Sequence, residues 1–180
     1  MIGLYEKEMK KELLVVVDMQ NDFIDGSLGT KEAESLISDM ADYISSWDGP
    51  IVFTRDTHGK DYLSTLEGKK LPVEHCIKDT DGWQIRKELL DAAAGKDVTV
   101  IDKPTFGSLD LQEYIRNGGF DTIKFCGVCT GICVISNVLL AKAASHESNI
   151  QVIERLCACV TPDSHKTAIE AMKTCQIDII

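Results

Sequence analysis

Short apolar runs alternate with longer amphipathic segments along this chain. The first run, Leu13–Val17, is continuous and rich in β-branched residues, as is typical of a strand buried on both faces of a parallel sheet. Further runs that predict strands are Ile51–Thr54, Val98–Ile101, Thr122–Cys126, Ile150–Ile153 and Ile177–Ile180. The pattern therefore predicts five or six short buried strands.

Helical periodicity occupies most of the segments between these runs. It predicts helices over Lys31–Trp47, Trp83–Ala94, Leu109–Arg116, the segment that begins near Cys133, and about Thr161–Thr174. Residues 60–82 show no firm periodicity, and a loop of that length in a compact domain is usually functional.

Strands that alternate with helices form parallel sheets covered by helices on both faces and joined by right-handed crossovers. We therefore expect an α/β fold with three αβα layers and a doubly wound, mostly parallel sheet of about six strands. The 180 residues show no internal repeat or linker and lie within the range of one domain, so we expect a single domain over residues 1–180.

Composition and charge argue against several classes of partner. The net charge is −10 and the few lysines and arginines are scattered, which disfavours binding to nucleic acid or to an anionic membrane. No stretch approaches the roughly 18 apolar residues of a membrane span, and Met1–Glu12 is charged and lacks the apolar segment of a signal peptide. We expect a cytoplasmic protein whose seven cysteines are thiols.

Chemically capable side chains follow four of the predicted strands. They are Asp18, Asp56 with His58, Lys103, and the turn that leads to Cys133. The carboxyl ends of parallel strands meet at one edge of a sheet, where ligands bind near the switch in strand order. A GxGxxG motif after the first strand and a GxxxxGK[ST] motif are both absent, which counts against a dinucleotide or nucleoside triphosphate site.

Cys133 follows a turn bracketed by Gly127 and Gly131, and we expect it in the first turn of a helix with Thr130 as N-cap. Free N–H groups and the positive helix end there favour a thiolate and could hold an oxyanion. The alternative is a small buried hydrophobic residue.

Asp18 and Lys103 would complete a nucleophilic centre around this thiol. The carboxylate can take the thiol proton and return it to a leaving amine, while the ammonium stabilises negative charge. The alternatives are a loop hydrogen bond for Asp18 and a solvated charge for Lys103. Asp102 is another carboxylate, but Pro104 holds this segment extended, so neighbouring side chains should point apart.

The pattern Asp56-Thr57-His58 places two potential metal ligands two residues apart, and His75 could supply a third. Two nitrogens and one carboxylate with open positions suit zinc, iron or manganese in a catalytic site. The alternative is a pair of surface-loop histidines.

Two other groups of candidate ligands are weaker. An iron–sulfur or redox role for Cys126, Cys129 and Cys133 is disfavoured because no fourth ligand follows at useful spacing. We expect His146 and His165 to be structural.

Several motifs, in order, resemble those of the isochorismatase-like cysteine hydrolases, and in particular the nicotinamidase/pyrazinamidase branch. They are Val17–Phe23, Arg55–His58 with Leu71–Ile77, Asp102–Ser108 and Gly127–Val134. The resemblance spans about residues 13–175.

The resemblance implies a catalytic triad of Asp18, Lys103 and Cys133, with a thioester on Cys133 while ammonia leaves. It also implies an oxyanion hole from the N–H groups of Cys129 and Cys133, and a cis peptide between Val128 and Cys129.

A metal held by Asp56, His58 and His75 is implied as well; it would bind a pyridine nitrogen in a pocket lined by Phe23. Many nicotinamidases carry an aromatic residue just before the second metal histidine, where this chain has Leu71–Glu74, and some have a further histidine that residues 59–65 do not supply.

We therefore expect a homo-oligomeric, metal-assisted cysteine amidohydrolase that acts on a small amide, with nicotinamide as the first candidate and zinc as the first metal. The alternatives are a related C–N hydrolase for a carbamoyl or ureido compound, and a catalytically silent zinc-binding member of the fold.

Overall fold

The computed structural model describes residues 10–180, so most of Met1–Glu12, for which we expect no signal peptide, lies outside the described residues. Within the described range the strands are β1 Glu12–Val17, β2 Ile51–Asp56, β3 Val98–Lys103, β4 Thr122–Val128, β5 Asn149–Ala158 and β6 Asp178–Ile179. The α-helices there are α1 Asn21–Ile24, α2 Lys31–Glu34, α3 Ile37–Ser46, α4 Leu66–Lys70, α5 Lys87–Ala92, α6 Leu109–Gly118, α7 Ile135–Ala144 and α8 Pro162–Thr174.

The strands form one parallel sheet in the order β3-β2-β1-β4-β5-β6, which confirms the predicted doubly wound α/β fold. The order reverses between β1 and β4, because the chain first moves outward through β2 and β3 and then returns to the other side of β1. A crevice at the carboxyl ends of β1 and β4 follows from this reversal.

The central strand explains why the apolar runs fold as they do. Leu13–Val17 of β1 is fully buried, with Val15 in register with Val52 of β2 and Phe125 of β4. Helix α3 packs against α5, whereas α6 packs against α7. Right-handed crossovers put these two pairs on opposite faces of the sheet, as expected for three layers.

Two predicted helices are shorter than expected. The helix predicted over residues 31–47 is interrupted between α2 and α3, where the Ser35 hydroxyl donates to the Glu32 carbonyl (2.8 Å), a local bond that competes with helical structure. The helix predicted to begin at Trp83 begins at Lys87, because Ile85 instead forms an antiparallel bridge with Gln20. No helix among residues 10–180 has both the length and the apolar character that a bilayer crossing requires.

Candidate active site

The side chains of Asp18 and Lys103 meet at the carboxyl edge of the sheet, at the ends of β1 and β3. Both are buried, and the Lys103 Nζ lies 2.6 Å from the Asp18 Oδ2. The same Nζ lies 3.6 Å from the Cys133 Sγ. The structure thus brings together the acid, the amine and the thiol that the sequence analysis singled out.

Asp18 has a left-handed backbone, with φ of 51°, which is uncommon for a residue other than glycine and clusters at functional sites. The Thr54 hydroxyl stabilises it from β2: it donates to the Asp18 Oδ1 (2.6 Å) and accepts from the Asp18 N–H (3.2 Å). Thr54 therefore orients the carboxylate toward the lysine.

Lys103 is a buried cation with two carboxylate partners, rather than a solvated surface charge. Besides Asp18, its Nζ lies 3.3 Å from the Asp56 Oδ1 and donates to the Thr105 carbonyl (3.1 Å). Burial alone would lower the pKa of Lys103, but attraction to Asp18, the Cys133 sulfur and Asp56 outweighs it and raises the pKa. The ammonium therefore stays charged and joins the thiol region to Asp56.

Cys133 lies in a π-helical turn, Thr130–Val134, which precedes α7. The Cys129 carbonyl accepts from the N–H groups of Ile132 (3.0 Å) and Val134 (3.1 Å) but not from the N–H group of Cys133 between them. Single π-helical turns occur frequently at functional sites. The peptide bond between Val128 and Cys129 is cis, as the resemblance implied.

The prediction that Thr130 is the N-cap is wrong. Thr130 lies inside the π turn, and its hydroxyl is 2.8 Å from the His165 Nδ1 of α8. The hydroxyl is used in a tertiary contact, so it does not cap the turn. His165, which we expected to be structural, therefore supports the turn that carries Cys133.

The pKa values of the thiol and the carboxyl group are both raised. Burial, followed by repulsion from Asp18, raises the pKa of Cys133 well above its ordinary value, although Lys103 opposes the shift. This direction is opposite to the thiolate expected at a helix start. Burial also raises the pKa of Asp18, although the attraction of Lys103 opposes this shift. The raised pKa makes the carboxylate a stronger base toward the neutral thiol.

Gly127 allows β1 and β4 to approach closely just before the cysteine turn. Its φ is +119°, and a Cβ atom there would lie 2.1 Å from the Val17 carbonyl oxygen. Only glycine fits this backbone and this spacing. The close approach keeps the end of β1, with Asp18, beside the turn that carries Cys133.

A second cluster contains the three predicted metal residues together with Glu67. One donor atom from each of Asp56, His58, Glu67 and His75 lies within 4.8 Å of all the others. The Asp56 Oδ2 is 3.0 Å from the His58 Nε2 and 3.6 Å from the His75 Nε2. The Glu67 Oε1 is 3.7 Å and 3.8 Å from the same two nitrogens.

These donors fit a divalent metal ion. Ligands at zinc bond lengths around a tetrahedral ion lie about 3.3 Å apart, close to the observed spacing. The His75 Nδ1 lies 2.8 Å from the Val73 carbonyl, so it carries the proton and leaves Nε2 free to bind a metal.

Both clusters open onto one cavity of about 500 Å³. Phe23 lines it, as the resemblance implied, and its ring lies 5.6 Å from that of His75. The other lining residues are Ser27, Leu28, Gly29, Thr30, Asp56, Glu67, Leu71, His75, Phe106, Cys129, Ile132, Cys133 and Val160. The volume is typical of a small-molecule site.

The family model that matches the chain is that of the isochorismatase domain, over residues 12–180. The chain belongs to the isochorismatase family. This membership confirms the family resemblance that its motifs carried.

The chain is similar to three proteins named as nicotinamidases or pyrazinamidases. The nicotinamidase of Saccharomyces cerevisiae is 27% identical in an alignment that covers 76% of this chain and 84% of the relative. The pyrazinamidase of Pyrococcus horikoshii, solved in complex with zinc, is 28% identical with a TM-score of 0.80, covering 94% of this chain and 98% of that one.

The pyrazinamidase/nicotinamidase of Streptococcus mutans is 26% identical with a TM-score of 0.79, covering 94% of this chain and 100% of that one. The family membership and these similarities together identify the chain as a nicotinamidase-like hydrolase that acts on C–N bonds other than peptide bonds.

Two polar residues of the site were missed by the sequence analysis. Glu67 reaches the metal cluster because Thr65 begins α4, its hydroxyl accepting from the Gly68 N–H (3.0 Å). An N-cap threonine followed by an acid was the available signal. Asn137 of α7 donates to the carbonyls of Cys133 (2.8 Å) and Phe106 (2.9 Å), which ties the cysteine turn to the loop after Lys103.

Asp102 lies apart from this site, as expected for a neighbour of Lys103 on an extended strand. Its Oδ1 accepts from the Arg55 Nε at 2.7 Å, and its side chain is partly exposed. It therefore does not compete with Asp18 for the lysine.

Proposed function

We propose that this chain is a cysteine amidohydrolase that cleaves a small uncharged amide, with nicotinamide as the first candidate, to a carboxylic acid and ammonia. The observation that carries the proposal is the contact of Lys103 with both Asp18 and Cys133 beside a cavity that three of the four metal-type ligands also line. A thiol activated by a base, with a fixed cation to stabilise negative charge, can carry out acyl transfer from an amide.

In the first step, the Asp18 carboxylate takes the proton of the Cys133 thiol as the sulfur forms a bond to the amide carbon. The amide oxygen then carries negative charge, which the N–H groups of Cys129 and Cys133 stabilise as an oxyanion hole. Asp18 returns the proton to the nitrogen, the C–N bond breaks and ammonia leaves.

In the second step, water attacks the carbonyl carbon of the thioester. Asp18 accepts a proton from this water and delivers it to the departing sulfur, so that the acid is released and Cys133 is again a thiol. Lys103 remains an ammonium throughout both steps. It stabilises the negative charge on Asp18 and, as it develops, on the sulfur.

Asp56, His58, Glu67 and His75 would hold a divalent metal ion, with zinc as the first choice and iron or manganese as alternatives. When bound, the ion supplies a Lewis-acidic position that fixes a donor atom of the substrate, such as a ring nitrogen. The aromatic face of Phe23, against the same cavity, suits a flat heteroaromatic ring.

The cavity favours an uncharged amide over a carbamoyl compound that bears a carboxylate. Among the described residues that line it, none is a lysine or an arginine, while Asp56 and Glu67 are acidic. An anionic substituent would therefore meet no cationic partner apart from the metal. Many nicotinamidases carry an aromatic residue just before the second metal histidine, whereas this chain has Leu71–Glu74 there, and the aliphatic Leu71 lines the cavity.

Ammonia release tests the proposal directly. We would assay nicotinamide, pyrazinamide and a carbamoyl amino acid with metal-analysed wild type, Cys133→Ala and the control Cys175→Ala, which alters an exposed thiol. We expect release from the aromatic amides, complete loss in Cys133→Ala and no change in Cys175→Ala. Zinc binding without turnover of any amide would instead support the catalytically silent alternative.

A cytoplasmic location and a homo-oligomeric state are further parts of this proposal. Light scattering coupled to size-exclusion chromatography tests the second, with a mass above the 19.9 kDa of one chain as the expected result.

A further inference from the structure

Tyr62 lies against both imidazoles of the metal cluster. It is fully buried in a single 3₁₀ turn, Tyr62–Ser64, inside the loop predicted to be functional. Its ring centroid lies 4.7 Å from that of His58 and 4.9 Å from that of His75, with interplanar angles of 54° and 77°. The two imidazoles also touch each other at 4.8 Å, so the three rings form one packed group.

This packing restricts how either imidazole can rotate. Edge-to-face contacts at these distances are the preferred geometry of aromatic pairs. His75 has a polar restraint at Nδ1 from Val73, whereas the polar contacts of the His58 ring are those of its Nε2 with the carboxylates of Asp56 and Glu67. Among the described residues no hydrogen bond reaches the His58 Nδ1, so packing against Tyr62 is what restrains that side of the ring.

The hydroxyl of Tyr62 fixes a different part of the site. It donates to the Leu71 carbonyl at 2.9 Å, and Leu71 lines the substrate cavity. The phenol therefore spans the distance from the metal ligands to the aliphatic wall of the pocket.

The backbone of Tyr62 also positions the helix that carries Glu67. Its carbonyl accepts from the Thr65 hydroxyl (2.7 Å) and the Thr65 N–H (2.9 Å), and Thr65 in turn caps α4. A Cβ atom on Gly68 would lie 2.1 Å from the same carbonyl oxygen, so α4 rests directly on this residue.

We propose that Tyr62 is a positioning residue with two separable roles: its ring sets the metal-binding orientation of His58 and His75, and its hydroxyl sets the pocket wall at Leu71. The inference rests on the metal site of the proposed function. Groups behind metal ligands typically alter metal affinity by about 10–100-fold when removed.

The test compares Tyr62→Leu, which removes the ring, with Tyr62→Phe, which keeps the ring and removes the hydroxyl. Zn²⁺ affinity is measured for each by competition with a chromogenic chelator, and folding by circular dichroism. We expect Tyr62→Leu to bind Zn²⁺ at least about tenfold more weakly and Tyr62→Phe to bind it as wild type does. Tyr114→Leu, which removes a half-buried tyrosine stacked on Phe120, is the matched control and should not change Zn²⁺ affinity.

The hydroxyl is tested by steady-state kinetics with the amide that wild type turns over. We expect Tyr62→Phe to raise KM by about three- to tenfold with little change in kcat, because the wall moves while the reacting groups and the metal do not. Equal loss of kcat and kcat/KM would overturn this role.

Equal Zn²⁺ affinity in folded Tyr62→Leu and wild type would overturn the role of the ring. Tyr62→Met, whose longer unbranched side chain adapts to the space left by the ring without an aromatic face, replaces the leucine variant if that variant does not fold. Unfolding of both variants, while Tyr114→Leu folds, would show a purely structural role and would also overturn the inference. Failure of wild type to bind Zn²⁺ would instead refute the metal part of the proposed function.

Discussion

Replacement of Asp18 by asparagine tests the buried ion pair at the centre of the site. The side chain keeps its shape but loses the charge that faces the Lys103 Nζ at 2.6 Å. Removing one partner of a buried ion pair typically costs about 3–5 kcal/mol, because the other charge stays buried. Here the Asp56 Oδ1, 3.3 Å from the same nitrogen, compensates in part, so we expect the low end, about 3 kcal/mol.

Urea unfolding at one fixed pH measures this loss for the variant and for wild type. A decrease of about 3 kcal/mol also corresponds to a fall of roughly 6–12 °C in Tm for a protein of this size. Asp102→Asn is the matched control, since its carboxylate pairs with Arg55 at the partly exposed edge and should cost at most about 1 kcal/mol.

The Asp18→Asn variant should also have a lower kcat. Removal of a general base lowers the rate by about 10²–10⁴-fold, whereas the cavity walls that bind the ring are unchanged. A loss of less than about 1 kcal/mol in stability, or retention of near wild-type kcat, would refute the reasoning that Asp18 is a buried, charged base.

Two further substitutions test other parts of the account. Gly127→Ala should cost more than about 3 kcal/mol or prevent folding, because its Cβ would lie 2.1 Å from the Val17 carbonyl oxygen. Gly95→Ala, at a φ of +80° with no atom within 4 Å, should cost only about 1–2 kcal/mol. Thermal unfolding compares the two variants, and equal costs would contradict the close approach of β1 and β4. Glu67→Gln should weaken Zn²⁺ binding at least about tenfold in chelator competition, whereas Glu74→Gln, at an exposed position, should not. Unchanged Zn²⁺ affinity in both variants would show that Glu67 is not a metal ligand.

The strand ends were the predictable part of the site. The apolar runs place Asp18 and Lys103 directly after two strands, and a parallel sheet brings the ends of its strands to one edge whatever the intervening loops do. The sheet order then decides which ends are adjacent, and crossover rules restrict that order to few choices.

Features set by tertiary contacts were not predictable in the same way. Trp83–Arg86 has a helical pattern, yet its backbone bonds to the segment after β1, as in the Arg86 N–H that donates to the Met19 carbonyl at 2.8 Å. Thr130 is a residue type that favours the N-cap position, but its hydroxyl is hydrogen-bonded to His165, which is distant in sequence. Local propensity is outweighed in both cases by a partner that no short window contains.

The elevated pKa of Cys133 has the same origin. A helix start favours a thiolate, but in the structure burial of the sulfur, followed by repulsion from Asp18, raises the pKa of this thiol. The cavity that Cys133 lines also includes Phe23, Phe106 and Ile132, which come from separate parts of the chain.

Peptide mapping of acid-quenched turnover is the most direct test of the central claim that Cys133 is the nucleophile. Wild type in steady state with its amide is quenched, digested and analysed by mass spectrometry. The peptide of residues 125–142 contains Cys126, Cys129 and Cys133, so fragment-ion sequencing is needed to locate the acyl group within it. The account predicts an acyl group on Cys133 and on none of the other six cysteines. An acyl group on a different cysteine, or ammonia release by Cys133→Ala at the wild-type rate, would contradict it.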